Sequence, residues 1–390
     1  MWEPVPRKER IPETVVRPSL TYWQDAWRRL KLNKLAMIGL IVIVIVILMA
    51  LFGPLFSSHS YSDQNLPMAN IPPRFDIYRV SDTAFIYMHK EYRLYLVTRN
   101  GHLIARLEAV EDNPLKKFRR YEIEGSELFL DYSMAAAAAH SQDLSAKKFS
   151  LTIDGSDIPV FDTVHNRDYL LGSDTHGRDL FVRVLHGARI SLLVALTATL
   201  VNFFIGVLYG GIAGYAGGRV DNIMMRIVDI IATVPLMLYV ILLMVVIGPG
   251  LKTIILALGS VYWVRMARIV RGQTLSLREQ EFILAARSLG AGRMRIMLRH
   301  LIPNAMGSII VALTMMIPNA IFTESFLSFI GLGVNAPMAS WGTLANDALG
   351  GLRSYGYQLL FPSLAICLTM LGFNFIGDGL RDALDPRLRK

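Results

Sequence analysis

The run LAMIGLIVIVIVILMALFGPLF, from Leu35 to Phe56, contains no charged side chain. A helix of about 20 apolar residues crosses the hydrocarbon core of a bilayer and satisfies its own backbone hydrogen bonds there. The apolar core of a cleaved signal peptide is shorter, about 7 to 15 residues. We therefore predict a retained transmembrane helix over 35–56.

The whole chain has the composition of a polytopic membrane protein, with 53% hydrophobic and 18% charged residues among 390. Further apolar runs of helical length occupy about 190–214, 223–248, 253–272, 305–332 and 357–377. Together these runs predict an α-helical fold with six transmembrane helices. The single cysteine, Cys367, excludes an intrachain disulfide and a cysteine-based metal cluster.

The basic residues orient these helices. An amphipathic stretch before the first helix carries Trp23, Trp27 and Leu30 at spacings of four and three, among several Lys and Arg. Because cytoplasmic flanks carry the positive charge, we predict that residues 1–34 form a cytoplasmic N-terminus with an interfacial helix. Six crossings return the C-terminus to the cytoplasm, together with the loop 271–303 and its six arginines and two glutamates.

A polar segment, 57–168, separates the first two predicted helices on the extracytoplasmic side. It holds 13 Lys and Arg against 16 Asp and Glu, although the whole chain has a net charge of +9. The basic excess therefore flanks the apolar runs, which indicates a lipid surface and speaks against nucleic acid as a partner.

This insert is rich in β-branched and aromatic residues, and Asn100-Gly101 offers a hairpin turn. We predict a small β-rich domain, with a short helix or linker at 134–142. The predicted strands lie in RLYLVT (93–98), HLIARLE (102–108), YEIEGSELFLDY (121–132) and KFSLTIDG (148–155).

Four glycines recur at intervals of four residues from the second predicted helix onward. Small residues allow a second helix to approach closely, so we interpret the pattern as helix packing, within the chain or to a partner, and not as a substrate path. The glycines are Gly206, Gly210, Gly214 and Gly218.

Charged residues in the predicted helices are candidates for function, because burying charge in lipid is costly. Asp229, Glu324 and Asp378 are of this kind. Arg265 and Arg268 lie near the cytoplasmic end of the fourth predicted helix and are expected to snorkel towards the lipid headgroups.

A polar stripe in the fifth predicted helix has two interpretations. It lines a translocation cavity, or it makes hydrogen bonds between helices. Its members are Asn319, Thr323, Glu324 and Ser325.

Carboxylates and histidines also cluster at the outer end of the second predicted helix. At these spacings they are weak evidence for a metal site. They fit the start of a helix better, with Ser173 or Asp174 as the N-cap, and we predict no metal. The cluster comprises Asp174, His176, Asp179 and His186.

The segment EFILAARSLGAGRMRIMLRHLIPN, 281–304, is a charged loop with helical spacing. Phe282, Ala285, Ala286 and Leu289 fall on one face, and the glycines that follow predict a corner before a second, basic helix. A helix with small residues and a charged rim suits docking into a groove of another protein. The alternative is a surface helix that caps the bundle.

Part of this loop, LAARSLGAGRMRIMLRHLIP, resembles the EAA loop of ATP-binding-cassette (ABC) importer permeases, in which Glu-Ala-Ala is followed by Gly and, further on, Pro. A leucine, Leu284, stands at the position of the glutamate here, and Glu281 lies one turn earlier. The resemblance implies docking on a partner ATPase through Glu281, Ala285, Ala286, Arg287, Gly290 and Pro303.

Other stretches resemble the second permease subunit of oligopeptide and dipeptide importers, the OppC/DppC type. The resemblance covers about 20–56 and 169–390, and it does not include the insert. The matching stretches are DAWRRLKLNKLAMIGL (25–40), LGSDTHGRDLFVRVLHGARISL (171–192), SFIGLGVNAPMASWG (328–342) and FNFIGDGLRDALDPRLR (373–389).

This resemblance implies a permease core at 169–390 with the type I ABC importer fold, in a prokaryotic cell membrane. It implies a heterodimer with a second permease, two cytoplasmic ATPases that bind ATP and Mg, and an extracytoplasmic peptide-binding protein. Alternating access would then move peptides, with nickel, opines or glutathione as alternative substrates. The sequence contains no Walker glycine loop, so we expect no catalytic residue and no cofactor in this chain.

Two other classes of protein predict patterns that the sequence lacks. A membrane-anchored receptor or enzyme needs a nucleophile or metal constellation in 57–168, and a channel needs a filter or rings of charge. For the insert we favour contact with the binding protein and cover of the outer gate over the role of a spacer.

Overall fold

The computed structural model describes residues 21–135 and 148–385. The first twenty residues, most of the predicted helix or linker at 134–142 and the last five residues of the chain lie outside the described residues.

Two of the described helices precede the β-rich segment, and the others follow it with short connections. In chain order they are α1 (Tyr22–Leu32), α2 (Lys34–Phe52), α3 (Leu180–Ala216), α4 (Gly218–Ala232), α5 (Leu236–Ile247), α6 (Leu251–Val261), α7 (Trp263–Leu277), α8 (Glu281–Ser288), α9 (Arg293–Ile296), α10 (Ile302–Leu327), α11 (Trp341–Asp347) and α12 (Tyr357–Leu384). Short 3-10 or π-helical turns adjoin them at Gly53–Phe56, Leu66–Met68, Met297–Leu301, Ser328–Leu332 and Leu349–Gly351.

Five helical segments among the described residues are long and apolar enough to cross a membrane. They are Lys34–Phe56, Leu180–Ala216, Leu251–Leu277, Arg293–Leu332 and Tyr357–Leu384. Each contains one of the six predicted runs. The segments therefore confirm a helical polytopic architecture.

The remaining predicted run, 223–248, does not form one continuous helix. The chain forms α4 and α5 instead, with an angle of 80° between them, so that a sixth crossing exists only if the bent pair counts as one span. The break falls at Pro235, which precedes the first residue of α5. Proline has no N–H to donate and disfavours helical geometry at the residue before it.

The start of α3 also differs from the prediction. Asp179 caps this helix, because its carboxylate accepts a hydrogen bond from the backbone N–H of Phe181 at 2.9 Å. The predicted cap, Ser173 or Asp174, is therefore wrong. The Ser173 hydroxyl donates to the carbonyl of Met68 at 2.5 Å, and the Asp174 carboxylate is occupied by two arginines.

The glycine ladder packs α3 against α7. A Cβ at Gly206 would lie 2.5 Å from the Met266 Cβ, and one at Gly214 would lie 2.8 Å from the Arg271 carbonyl oxygen. Gly210 is closer still, directly against the backbone of α7. The structure confirms the prediction of helix packing within the chain for these three glycines. For Gly218 the prediction is wrong, because this residue begins α4 and a Cβ there would meet no atom within 4 Å.

Helices from both ends of the chain meet around one buried tryptophan. Trp341 of α11 packs with Ile43 of α2, Ala188 of α3, Ala320 of α10 and Phe373 of α12. Its indole N–H donates to the carbonyl of Val184 at 3.0 Å, which satisfies the one polar atom of the ring.

Between α2 and α3 the chain forms two antiparallel sheets of five strands each, in the orders β10-β1-β2-β3-β4 and β5-β6-β7-β8-β9. All four predicted strand segments contain strands, and Gly101 turns between β3 and β4 with φ +89°. The strands are β1 (Arg74–Arg79), β2 (Phe85–Met88), β3 (Leu94–Val97), β4 (Leu103–Arg106), β5 (Glu111–Asn113), β6 (Phe118–Ile123), β7 (Ser126–Asp131), β8 (Ser150–Ile153), β9 (Ser156–Asp157) and β10 (Val160–His165).

The two sheets share one hydrophobic core. Ile86 and Leu94 from the first sheet pack with Tyr121, Leu128 and Leu130 from the second, and all five are buried. Alternating strand residues thus point into a common interior, as in a sandwich.

Candidate functional site

The predicted docking loop consists of two short helices with a glycine corner. Helix α8 ends at Ser288, Gly290 has φ +81°, and α9 begins at Arg293. A left-handed backbone at this position favours glycine over residues with a side chain. Pro303 is the second residue of α10, directly after the π-helical turn Met297–Leu301.

One side of α8 anchors the loop to the bundle. Ile283 is fully buried with Ile296 and Leu301, and Tyr215 of α3 and Leu277 of α7 pack against this cluster. Helix α8 is therefore in contact, through this cluster, with the ends of α3 and α7.

The other side of α8 is exposed. Phe282 is 41% exposed and Leu289 is 88% exposed, with Ala285 between them on the same face and Ala286 half-buried at its edge. This is the face for which the sequence predicts docking.

Charged side chains border this face. Glu281 is exposed and forms no ion pair with any residue that the structure describes. The Arg287 guanidinium lies 5.9 Å from the centre of the Tyr215 ring, a cation-π contact that fixes its direction. Leu284 is also exposed, on a different side of the helix.

Ion pairs brace the bundle beside the loop. Arg271 of α7 binds Asp221 of α4 through two hydrogen bonds of 2.6 Å each. Arg268 pairs with Asp229 at 2.9 Å, so Asp229 has a partner within the chain, and both side chains remain about half exposed. Snorkelling of Arg268 towards the headgroups stays a prediction. The paired carboxylates orient α7 relative to the bent pair.

The four residues of the predicted polar stripe do not share one surface. Glu324 has no exposed surface and accepts hydrogen bonds from Ser191 and Ser328, each at 2.8 Å. Asn319 is exposed, and the Thr323 hydroxyl is half-buried, 2.5 Å from that of Tyr262. Glu324 therefore joins α3 to α10, and Thr323 joins α10 to the residue before α7, which is the interhelical alternative. The Ser325 hydroxyl is buried and donates to Glu324 at 3.4 Å, whereas Asn319 lies on an open face of α10.

The acidic and histidine cluster before α3 forms a buried ion-pair network. The Asp174 carboxylate accepts from Arg178 Nε at 2.6 Å and also binds Arg183, and both guanidinium groups lie within 4 Å of Asp347 on α11. Burial alone would raise the pKa of Asp174, but the two arginines hold it below the usual value. In the described part of the chain no three His, Cys, Asp or Glu side chains are placed to hold a metal ion.

A polar junction attaches the β-rich segment to the helix bundle. The Tyr357 hydroxyl donates to the carbonyl oxygens of Ile71 and Ser173, at 3.0 and 2.8 Å. Gln358 donates to Asn70 Oδ1 at 3.0 Å. The start of α12 thus bonds both to the β-rich segment and to the turn before α3.

A histidine reinforces this junction. His89 is buried, donates to the Asn70 carbonyl at 3.1 Å and stacks on Tyr355 with 5.9 Å between ring centres. Burial lowers the pKa of His89, so the neutral ring is favoured. Sequence reasoning missed the junction, because no local pattern relates residues so far apart in the chain.

The comparisons with known proteins agree with this architecture. The family model described as binding-protein-dependent transport system inner membrane component matches residues 206–390, and that described as the N-terminal TM domain of oligopeptide transport permease C matches residues 21–73. The oligopeptide transport system permease protein OppC of Bacillus subtilis is 41% identical, over 100% of this chain and 98% of that protein. The chain belongs to the binding-protein-dependent permease family.

Two further similarities concern this permease. The dipeptide transport system permease protein DppC of Bacillus subtilis is 41% identical over 98% of this chain and 91% of that protein. A solved inward-facing structure of the MetNI methionine ABC transporter covers 53% of this chain and 96% of its own chain, at 19% identity and a TM-score of 0.41.

Membership of the family confirms the resemblance to permeases of the OppC/DppC type. The protein is a multi-pass membrane permease subunit of an ABC importer, and it is not itself the enzyme of that assembly. Both family models stop short of the two sheets, which lie between residues 73 and 206.

Proposed function

We propose that this permease translocates oligopeptides or dipeptides by alternating access, driven by ATPases that bind α8. The assignment of peptides rests on the names of the two Bacillus relatives, which span nearly the whole chain. The observation that carries the docking role is the exposed apolar face of α8, on a helix whose opposite side is anchored in the bundle. Nickel, opines and glutathione are the alternative substrates of the same importer class.

In this proposal one side of α8 binds the ATPase and the opposite side contacts the helix bundle. Phe282, Ala285 and Leu289 would enter a groove of the ATPase, and Glu281 and Arg287 would set the orientation. Because Ile283 packs against α3 and α7, closure of the ATPases would displace these helices. ATP and Mg would be bound by the two ATPases.

The partners and the orientation follow from the same proposal. A second permease would complete a heterodimer, with the N- and C-termini and loop 271–303 in the cytoplasm. The insert 57–168 would then lie outside, between the helix at 35–56 and the permease core at 169–390, where a peptide-binding protein approaches. Its bonds to α12 and to the turn before α3 would pass a load from the binding protein to the helices.

The docking proposal is tested by a matched pair of glycine variants. Gly290 has φ +81° and Gly292 has an ordinary φ of −66°, and a Cβ at either position meets no atom within 4 Å. We expect Gly290→Ala to lower the number of peptides transported per ATP hydrolysed in proteoliposomes containing the whole importer, because only that change strains the corner. Equal coupling in Gly290→Ala and Gly292→Ala, together with normal coupling in Glu281→Lys, would contradict docking through α8.

The role of the insert is tested by deleting it between two residues that are neighbours in the structure. Arg74 and His165 are paired neighbours on adjacent strands, so residues 75–164 can be replaced by a short Gly-Ser turn that leaves Asn70 and Ser173 in place. We expect lower peptide uptake and weaker association of the binding protein, with ATPase subunits still bound. Normal uptake and normal association of the binding protein would leave the insert as a spacer.

A further inference from the structure

We propose that a cleft between α7, α10 and α12 binds an anionic group of the transported substrate, and that Arg265 and Arg381 attract it. The proposal rests on the transport function proposed above and names a recognition site within it. The cleft has a volume of about 360 Å³. Gly307 near the start of α10 and Leu384 at the end of α12 both line it, so it lies at the end of the bundle that carries α8.

The arginines of α7 provide an internal comparison. Arg268 pairs with Asp229, and Arg271 pairs with Asp221. The Arg265 side chain, on the same helix, has no hydrogen-bond or ion-pair partner among the described residues. A guanidinium group is a strong donor to carboxylate and phosphate oxygens, so an unpaired one in a cleft is suited to an anion from outside the chain.

The described part of the cleft lining carries a net positive charge. Arg265 and Arg381 contribute two positive charges and Asp385 contributes one negative charge to its lining. A carboxylate such as the C-terminus of a peptide would therefore be attracted, and a cationic group would be repelled.

One face of α7 leads from this cleft to the polar stripe. Tyr262, Arg265 and Ile269 follow the spacing i, i+3, i+7, and Arg265 and Ile269 both line the cleft. One turn above Arg265, the Tyr262 hydroxyl lies 2.5 Å from that of Thr323. The cleft and the open face of α10 are thus adjacent along the bundle.

On α10, residues at helical spacing lead in the same way from the cleft to the polar stripe. Ser308 and Met315 line the cleft, and Asn319 follows one turn after Met315 on the exposed side. Ser308 contributes a small, exposed side chain to the lining. An elongated substrate leaving Asn319 and Thr323 towards the α8 end would therefore meet Arg265 with its anionic group.

A phospholipid phosphate offers the same oxygen chemistry as a carboxylate, since arginines near a bilayer surface also bind headgroups. We assign the anion in the cleft to the substrate and not to a lipid, because the cleft continues towards Asn319 and Thr323, whose polar side chains a headgroup does not require. The experiment separates the two sources by lipid composition and by peptide protection.

The test measures the charge preference of the cleft directly. Cys367 is the only cysteine of the chain, so Cys367→Ser combined with Met315→Cys places one thiol in the lining. The complete importer is reconstituted in phosphatidylcholine vesicles. Modification of that thiol by anionic and cationic methanethiosulfonates of similar size is followed by mass spectrometry of this subunit.

We expect the anionic reagent to react faster, and Arg265→Gln to lower the anionic-to-cationic rate ratio roughly 3- to 10-fold, the size expected for removing one nearby charge from a partly hydrated cleft. Arg265→Lys should preserve the ratio, and so should the control Arg268→Gln, whose cation is already paired. A peptide with a free C-terminal carboxylate should protect the thiol more than the same peptide with a C-terminal amide.

Three results discriminate between the explanations. An unchanged ratio in both Arg265→Gln and Arg381→Gln would overturn the anion site. Loss of the anionic preference when phosphatidylglycerol is added, without protection by peptide, would assign the cleft to lipid and overturn the substrate site. A preserved preference in an importer that takes up no peptide would support the anion site while refuting the peptide assignment.

Discussion

Replacing Asp174 by asparagine should strongly destabilise the end of the helix bundle at which α3 begins. Asp174 is 5% exposed and accepts hydrogen bonds from the His176 and Arg178 backbone at 2.8 and 3.0 Å, besides its bonds to two guanidinium groups. Arg178 and Arg183 are themselves buried. Removing one member of a buried ion pair leaves an uncompensated charge and costs about 3 to 5 kcal/mol.

The matched control is Asp347→Asn. Asp347 contacts the same two arginines at 3.8 and 3.5 Å, but its side chain is 44% exposed. Water screens that pair, so its loss should cost at most about 1 kcal/mol. The two variants are compared by the melting temperature of this subunit, measured by thermal unfolding of the purified importer in detergent.

The pH dependence supplies a second signature. Because the folded pKa of Asp174 lies below its unfolded value, the carboxylate stabilises the protein at pH values above the unfolded pKa, and this contribution is lost as the pH falls through the folded pKa. The difference in midpoint between the wild type and Asp174→Asn should therefore shrink in acid. Equal losses in Asp174→Asn and Asp347→Asn at neutral pH would refute the assignment of a buried network.

Three further changes test other contacts. Gly210→Val forces a side chain against the backbone of α7 and should lower the free energy of unfolding by roughly 1 to 3 kcal/mol or more. In the control Gly272→Ala the added Cβ meets no atom within 4 Å, so the melting temperature should be nearly unchanged, and similar melting temperatures for the two variants would contradict the packing. Glu324→Ala leaves the buried hydroxyls of Ser191 and Ser328 without their acceptor and should lower the free energy of unfolding by about 1 to 3 kcal/mol. Glu324→Gln keeps an acceptor and should lower it less, and a larger loss in Glu324→Gln than in Glu324→Ala would exclude the hydrogen-bonding role. His89 has a folded pKa below its unfolded value of about 6.5, so its stacking on Tyr355 should weaken as the pH falls below about 6.5. The protection factors of the Asn70 and Ile71 amides, which are corrected for the pH dependence of intrinsic hydrogen exchange, should then be lower at low pH in the wild type. An equally large pH effect in His89→Gln would exclude this histidine as the cause.

The sequence predicted the features that depend on local pattern. Periodicity and length located the helices, alternation located strands such as β3 and β7, and the glycine interval predicted the contact between α3 and α7. The corner at Gly290 was also legible, because two glycines interrupt a helical spacing. In each case the cause lies within a few residues of the effect.

The features that escaped prediction depend on distant residues or on competition between rules. Hydropathy over 223–248 outweighed the single proline that bends α4 against α5. Asp174 matched the pattern of an N-cap, but two arginines that follow it compete for its carboxylate, and Asp179 takes the cap. The burial of Glu324 could not be foreseen, because Ser191 lies 133 residues away in the sequence.

Helix α3 connects the two ends at which the permease is proposed to act. Its 37 residues extend over about 55 Å at the rise of an α-helix, from the Asp179 cap beside the insert junction to Tyr215 against the anchored side of α8. The glycine ladder holds α7 against this helix without intervening side chains, so the two move as a pair. A load applied to the insert and a displacement of α8 would therefore act on the same rigid element, which is the physical requirement for coupling the two ends.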